Sequence, residues 1–266
     1  MELDQAIRTR RSERHFSDEP VPREVVEALI AEASWAPSAG NRQPWRVAAL
    51  EPGAARPLVD ALEPKAWEIL YPTLREVIAR DPGVLGQQLS GRELTDATLS
   101  FVAREIYLKG APWLLVIHFP RPSALERGKV IATTAALLPH RVATRRSVRE
   151  KIELALFMAQ HANVAMRTDF LADVGSVAGF MYGLTLAAAA RGVASCVQYS
   201  WALVADEVRA TLGLPAGDEV LGAIALGWPD PNADKALAGR VSARKPVAVT
   251  WYGADGAHEP GPVRPE

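Results

Sequence analysis

The run Val177–Ala190, VAGFMYGLTLAAAA, limits the folding options of this chain more than any other segment. It carries no charge, yet it is shorter than the roughly 20 apolar residues that a bilayer span requires, and Arg191 closes it. Its many Gly and Ala residues allow a backbone to approach a neighbour closely. It therefore predicts a helix over 171–191 that packs tightly against another element, with Gly192 as its natural end. The rest of the composition agrees with a globular chain: of 266 residues, 48% are apolar and 23% charged, an ordinary balance for one large domain or two small ones. A net charge of -1 leaves no global field to hold nucleic acid, and 7% aromatics are too few for a stacking platform. One cysteine, Cys196, excludes an intramolecular disulfide and a cysteine-built zinc or iron–sulfur site within one chain. The segment Met1–Phe16 is charged throughout and lacks the apolar core of a secretory signal. The expectation is a cytoplasmic protein with no membrane, metal or nucleic-acid partner.

Helical and extended patterns alternate without a regular βαβ rhythm. A short helix is expected over 2–9 and a second over 22–34, where Val25, Val26, Leu29, Ile30 and Ala33 recur at helical spacing behind Pro22. WRVAAL (45–50) and WLLVIHF (113–119) read as strands. Residues 54–108 look helical in pieces, broken near Asp81-Pro82-Gly83, and 146–166 reads as a helix separate from 171–191. VASCVQYS (193–200) is a short strand or extended turn, VADEVRATLG (204–213) a helix, and EVLGAIALG (219–227) and PVAVTWY (246–252) strands. A single domain over 1–252 is expected, followed by a loose Gly- and Pro-rich tail over 253–266. No G-x-G-x-x-G follows a strand, so a Rossmann nucleotide domain is unsupported.

Two constellations carry chemistry. Arg10, Arg11, Ser12 and Arg14 place three guanidiniums and a hydroxyl within five residues just after a helix. A phosphate monoester needs several donors around one dianion, and arginine supplies forked, permanently charged ones. Taken alone, such a run is commonly a solvated basic turn. Pro37, Ser38, Asn41, Gln43, Pro44 and Trp45 form the second. Short polar side chains in a loop shaped by Pro and Gly can present hydroxyl, amide and backbone groups to a flat ligand, and they equally suit an ordinary helix-to-strand connection.

Together, RTRRSERHFSDEPVP, an apolar helix and APSAGNRQPW resemble the N-terminal pattern of the nitroreductase family of FMN-dependent flavoproteins. AAAARGVASCVQYSW, VRATLGLP, EVLGAIALGWPD and Arg244-Lys245-Pro246 resemble later elements of that family, so the likeness spans about 3–51 and 171–248. The resemblance implies an α+β fold with a central, mostly antiparallel sheet wrapped by helices, in an intertwined homodimer. It implies that Arg10, Ser12 and Arg244 contact the FMN phosphate, with Arg11 an adjacent donor and Arg14 toward the ribityl chain and the pyrimidine edge. Pro37, Ser38 and Asn41 would come from the other subunit, with Gln43 supporting their loop. The Gln198–Tyr199–Ser200 turn would face the flavin, a backbone N–H of Ser200 pointing at N5. The implied reaction is ping-pong hydride transfer from NADH or NADPH to an acceptor such as a nitroaromatic or a quinone. No catalytic side chain is expected, because the cofactor carries the chemistry.

The chain departs from the family pattern in places. Tyr199 and Ser200 stand where two glycines are common, Tyr182-Gly183 where Gln-Asn is frequent, and Ser242 where a second basic residue often precedes Arg244. The middle, 52–170, has no clear match and is expected to cover the substrate, with Trp67 a candidate lid over the flavin. Two other functions fit the same motifs: a specialised FMN-dependent oxidase or dehydrogenase that desaturates a small molecule, and a non-catalytic flavin-binding protein. The five histidines show no H-E-x-x-H spacing and no G-x-S-x-G occurs. Cys196 reads as a small core residue. The basic run at 140–151 reads as a solvated helix face, or as an attractor for the phosphate of NADPH.

Overall fold

Strand β2, Trp113–Pro120, is apolar on both faces because it is covered on both. Its alternate side chains Trp113, Leu115, Ile117 and Phe119 enter one core cluster, while Leu114 and Val116 enter another. β1 (Arg46–Leu50), β2, β4 (Asp218–Gly227) and β3 (Ala194–Gln198) form a four-stranded sheet in the order β1-β2-β4-β3, every neighbour antiparallel. The fold is α+β with an antiparallel sheet and packed helices. The computed structural model describes residues 2–62, 64–65, 68, 111–121, 147–233, 244–252 and 258–263. Most of the middle, with Trp67 and residues 140–146 of the basic run, lies outside the described residues.

Helices α1 (Leu3–Thr9) and α2 (Arg23–Ala33) stand within a residue of their expected positions. Helix α3 does not follow the expectation of two helices. It runs unbroken over Val148–Ala190, 43 residues. The join at Arg167-Thr168-Asp169-Phe170 holds no Gly or Pro to interrupt the hydrogen-bond ladder. Thr168 stays within the helix by donating its hydroxyl to the Val164 carbonyl (2.9 Å). The segment Met166–Ala190 is long and apolar enough to cross a bilayer by length and composition, which the sequence reading of Val177–Ala190 missed. Here its apolar face is spent on protein: Val177, Phe180, Met181, Leu184 and Ala188 share one core with Val26 and Leu29 of α2 and with β2 and β4. The close approach foreseen from the small residues occurs at Gly183, where an added Cβ would lie 3.6 Å from Ala33 Cα of α2.

The opposite face of the sheet is covered by a helical stretch over 55–62, by a 3-10 helix Tyr199–Val204 and by α4 (Ala205–Leu212). Leu58, Leu62, Trp201, Val204 and Val208 form that second core. α4 ends on Gly213 at φ 62°, the left-handed position glycine adopts without a Cβ penalty. β4 pairs with β2 through an irregular register, in which Ile117 faces Gly222 and His118 faces Val220. The additional residue inverts the side-chain alternation, so Val220 and Ala223 both reach the second core. His118 Nδ1 lies 2.7 Å from Asp218 Oδ2, and Arg46 Nη1 donates to the same carboxylate at 2.9 Å, tying β1, β2 and β4 together at one end of the sheet. Cys196 is buried in β3.

The chain separates into two units, Met1–Pro231 and Asn232–Glu266. In the second, β5 (Val247–Tyr252) pairs antiparallel with β6 (His258–Val263). The segment grouped from sequence with the loose tail thus contains a strand whose partner was grouped with the main domain.

Candidate functional site

The arginine segment is an added edge of the sheet. Arg10 caps the C-terminus of α1, its N–H donating to the Ala6 carbonyl at 2.9 Å. The chain then runs extended beside β3: Ser12 bridges Ser195 in parallel, and the Glu13 N–H donates to the Ser195 carbonyl (2.9 Å). Further on, Phe16 bridges Pro229, and the Ser17 N–H donates to the Trp228 carbonyl (2.9 Å). Side chains alternate along an extended segment, and the ion pairs follow that rule. Arg11 Nε donates to Glu13 Oε2 at 3.0 Å, two residues on, and the Glu13 side chain is only 6% exposed. Ser12 and Arg14 are exposed, and Arg10 and Arg11 half-buried. Arg11, expected as a phosphate donor, is occupied by a carboxylate. Sequence reasoning missed Glu13, because a glutamate within a run of arginines looks like a solvated charge until its burial is known.

A cleft of about 220 Å³ opens behind this segment, lined by Arg10, Arg11 and Glu13 and by Gly192, Ser195 and Pro229. Ala189, in the last turn of α3, also borders it. Helix C-termini carry partial negative charge, so cations are favoured there.

β3 carries the other candidates on the same edge. From Ser195, beside Ser12, to Gln198 is about 10 Å of strand. Gln198 is buried, Tyr199 is 55% exposed and Ser200 half-buried. Gly222 of β4 sets this turn's position: a Cβ there would fall 2.8 Å from the Gln198 carbonyl oxygen and 3.4 Å from Tyr199 Cα. No sequence signal distinguished Gly222 from any strand glycine. Gly222→Ala is expected to cost about 1–3 kcal/mol of stability by forcing that backbone outward. A urea melt superimposable on that of the parent protein would contradict the close approach.

The Pro37–Gln43 loop is held elsewhere. The Ala39 N–H donates to Ser176 Oγ (3.3 Å), and Arg42 reaches α3 twice, to Asp169 at 3.1 Å and to Asp173 at 2.9 Å. The hydrogen bond to Asp169 leads the interactions that raise the Arg42 guanidinium above its ordinary pKa. Three residues of this loop have unusual backbone: Gly40, Asn41 and Gln43 all have positive φ, at 58°, 54° and 46°. For a residue such as Gln this costs on the order of 1–2 kcal/mol. It is offset by bonds within the loop, from the Gln43 N–H to Ser38 Oγ (3.1 Å) and from Gln43 Nε2 to Asn41 Oδ1 (2.8 Å). Strain held in this way clusters at ligand sites. Arg42 and Asp173 are the anchors that sequence reading passed over.

The structure therefore brings Arg10, Arg11, Ser12 and Arg14 to the sheet edge that ends in Gln198, Tyr199 and Ser200. It does not bring Pro37, Ser38, Asn41 and Gln43 to them within one chain. Their anchor at Ser176 and the cleft-lining Ala189 lie about 20 Å apart along α3. Arg244 lies in the second unit, just before β5, and is exposed. No cluster of three or more His, Cys, Asp or Glu arranged for a metal ion occurs among the described residues.

Fold and site define a class: an α+β protein whose antiparallel sheet bears an arginine-rich edge segment running beside β3. The sequence profile described as the Nitroreductase family matches residues 7–228. The chain belongs to the nitroreductase family. It is 24% identical over 234 residues to the nitrobenzene nitroreductase of Ectopseudomonas oleovorans, covering 86% of this chain and 87% of that one. It is 26% identical over 244 residues to the chloronitrobenzene nitroreductase of Comamonas testosteroni, with the same coverage of 86% and 87%. The structure of the FMN-dependent nitroreductase NfnB from Mycobacterium smegmatis, in complex with NADPH, shares the fold with a TM-score of 0.51 and 22% identity, over 91% of this chain and 100% of that one.

Proposed function

We propose that the protein binds FMN and works as an NADH- or NADPH-dependent reductase of organic acceptors, with nitroaromatics and quinones as the acceptor classes. The observation that carries this is the docking of the arginine segment along β3, whose far end holds the Gln198–Ser200 turn. A mononucleotide has a dianion at one end and a flat ring at the other, and this edge offers cationic donors at one end and a turn at the other. Arg10 and Ser12 bind the phosphate, and Arg14 lies toward the ribityl chain and pyrimidine edge. Ser200 offers its N–H to the ring, since the opening N–H groups of a helical turn have no acceptor within it. FMN, when bound, supplies the hydride-accepting and hydride-donating chemistry. The chain's residues hold it, orient it and set the field around it.

The anchoring of the Pro37–Gln43 loop at Ser176, about 20 Å along α3 from the cleft-lining Ala189, supports a homodimer. A ring flanked by both sets of residues takes its loop from a second chain. Ligand pockets form preferentially at such junctions.

The purified protein is expected to be yellow, to release FMN on denaturation, and to oxidise NADH or NADPH when a quinone or nitroaromatic is added. Colourless protein that takes up no added FMN would sink the cofactor assignment. Flavin-bearing protein that consumes neither nicotinamide with any acceptor would leave the oxidase or dehydrogenase reading. Tyr199 is the observation favouring that second reading: a large exposed side chain at the ring-facing turn narrows the acceptor space.

A further inference from the structure

Along residues 10–14 the charges are sorted by face. Arg11 and Glu13 share one face, shown by their 3.0 Å ion pair, and alternation places Ser12 and Arg14 on the other, with Arg10 at the border. The cleft face also has the C-terminal turn of α3, whose partial negative charge disfavours an anion, as does the Glu13 carboxylate. The other face carries the Ser12 hydroxyl and the Arg14 guanidinium. Glu13 enforces the sorting with both of its oxygens: Oε2 accepts from Arg11 Nε, and Oε1 accepts from the backbone N–H of Arg14 (3.0 Å). That second bond fixes the peptide linking residues 13 and 14, and hence the direction in which Arg14 leaves the chain. The Glu13 N–H, held by the Ser195 carbonyl, locks the residue to β3.

We infer that Glu13 is a positioning residue of the phosphate-binding segment, which withdraws Arg11 to the cleft face and holds Ser12 toward the phosphate and Arg14 toward the ribityl chain and pyrimidine edge. The inference rests on the FMN reading above. It has an unusual sign. A carboxylate near a phosphate site repels the phosphate, so if Glu13 acted only through its charge, neutralising it would tighten binding. If it positions the donors, neutralising it weakens binding. Glu13→Gln keeps the size but replaces one acceptor oxygen by an NH2 that faces donors, so one of the two bonds is lost.

The test compares FMN with riboflavin, which lacks the phosphate, in fluorescence-quenching titrations of the parent protein, Glu13→Gln and Glu13→Ala, with thermal melts of all three. Both variants are expected to lose about tenfold in FMN affinity, the size of one charge-assisted hydrogen bond, and to lose less in riboflavin affinity, because riboflavin keeps only the contacts of Arg14. An equal loss for the two ligands, or tighter FMN binding, overturns the positioning role while leaving the FMN reading intact. A parent protein that binds no FMN overturns both.

Discussion

Phe180→Ala is expected to destabilise the first unit by about 4 kcal/mol, within the range for deleting a fully buried phenyl ring. Phe180 is 0% exposed, in the C-terminal third of α3, where the helix meets β2, β4 and α2. Its ring stacks on Trp45 with centroids 5.2 Å apart and planes inclined by 14°. Truncation removes the transfer energy, leaves a cavity bounded by rigid neighbours, and ends an aromatic contact worth about 0.5–1.5 kcal/mol. Trp45 lies one residue beyond the strained Pro37–Gln43 loop, after Pro44, so the loss also loosens the segment proposed to flank the flavin. Thermal denaturation reads the result as a fall in Tm of roughly 10 °C for a chain of this size. A fall of under about 3 °C would mean that α3 is not seated on the sheet as described.

Arg10→Ala is expected to weaken FMN binding by about 2 kcal/mol, or roughly thirtyfold, the value of a charge-assisted bond to a phosphate oxygen. Arg10 is held at the end of α1 by its N–H bond to Ala6, so the guanidinium is delivered by a fixed backbone and little ordering entropy is lost on binding. The change removes a half-buried side chain at a cleft edge, so the melt is expected to move little. Flavin content after gel filtration, and a titration with added FMN, measure the effect. Unchanged retention would remove Arg10 from the phosphate site. The contrast with Glu13→Gln separates a ligand from its support: the two losses share a direction although the two substitutions change the charge in opposite senses.

Local pattern made most regular elements legible. α2, β1, β2, β3, α4, β4 and β5 all follow apolar periodicity and turn residues, which act over a few positions. The single α3 was not legible as one helix, because four polar or aromatic residues at 167–170 look like a join. Arg42, reaching back to Asp169 and Asp173, shows them to be a docking face. The arginine segment was legible as a cluster of cations but not as two faces. Which arginine is free depends on Glu13, and the burial of Glu13 depends on β3, some 180 residues away in sequence. Gly222 is the same case: its lack of a side chain matters only because Gln198 passes over it.

By itself the sequence determined most of the element types, because apolar periodicity and turn residues express short-range preferences directly, and its motifs carried the likeness to the family and the candidate site residues. Only the tertiary structure decided which of those residues share an edge, which arginine pairs with a carboxylate, and which loop is anchored several helical turns away. Those outcomes depend on burial and on contacts between distant segments, and neither is written in any local pattern.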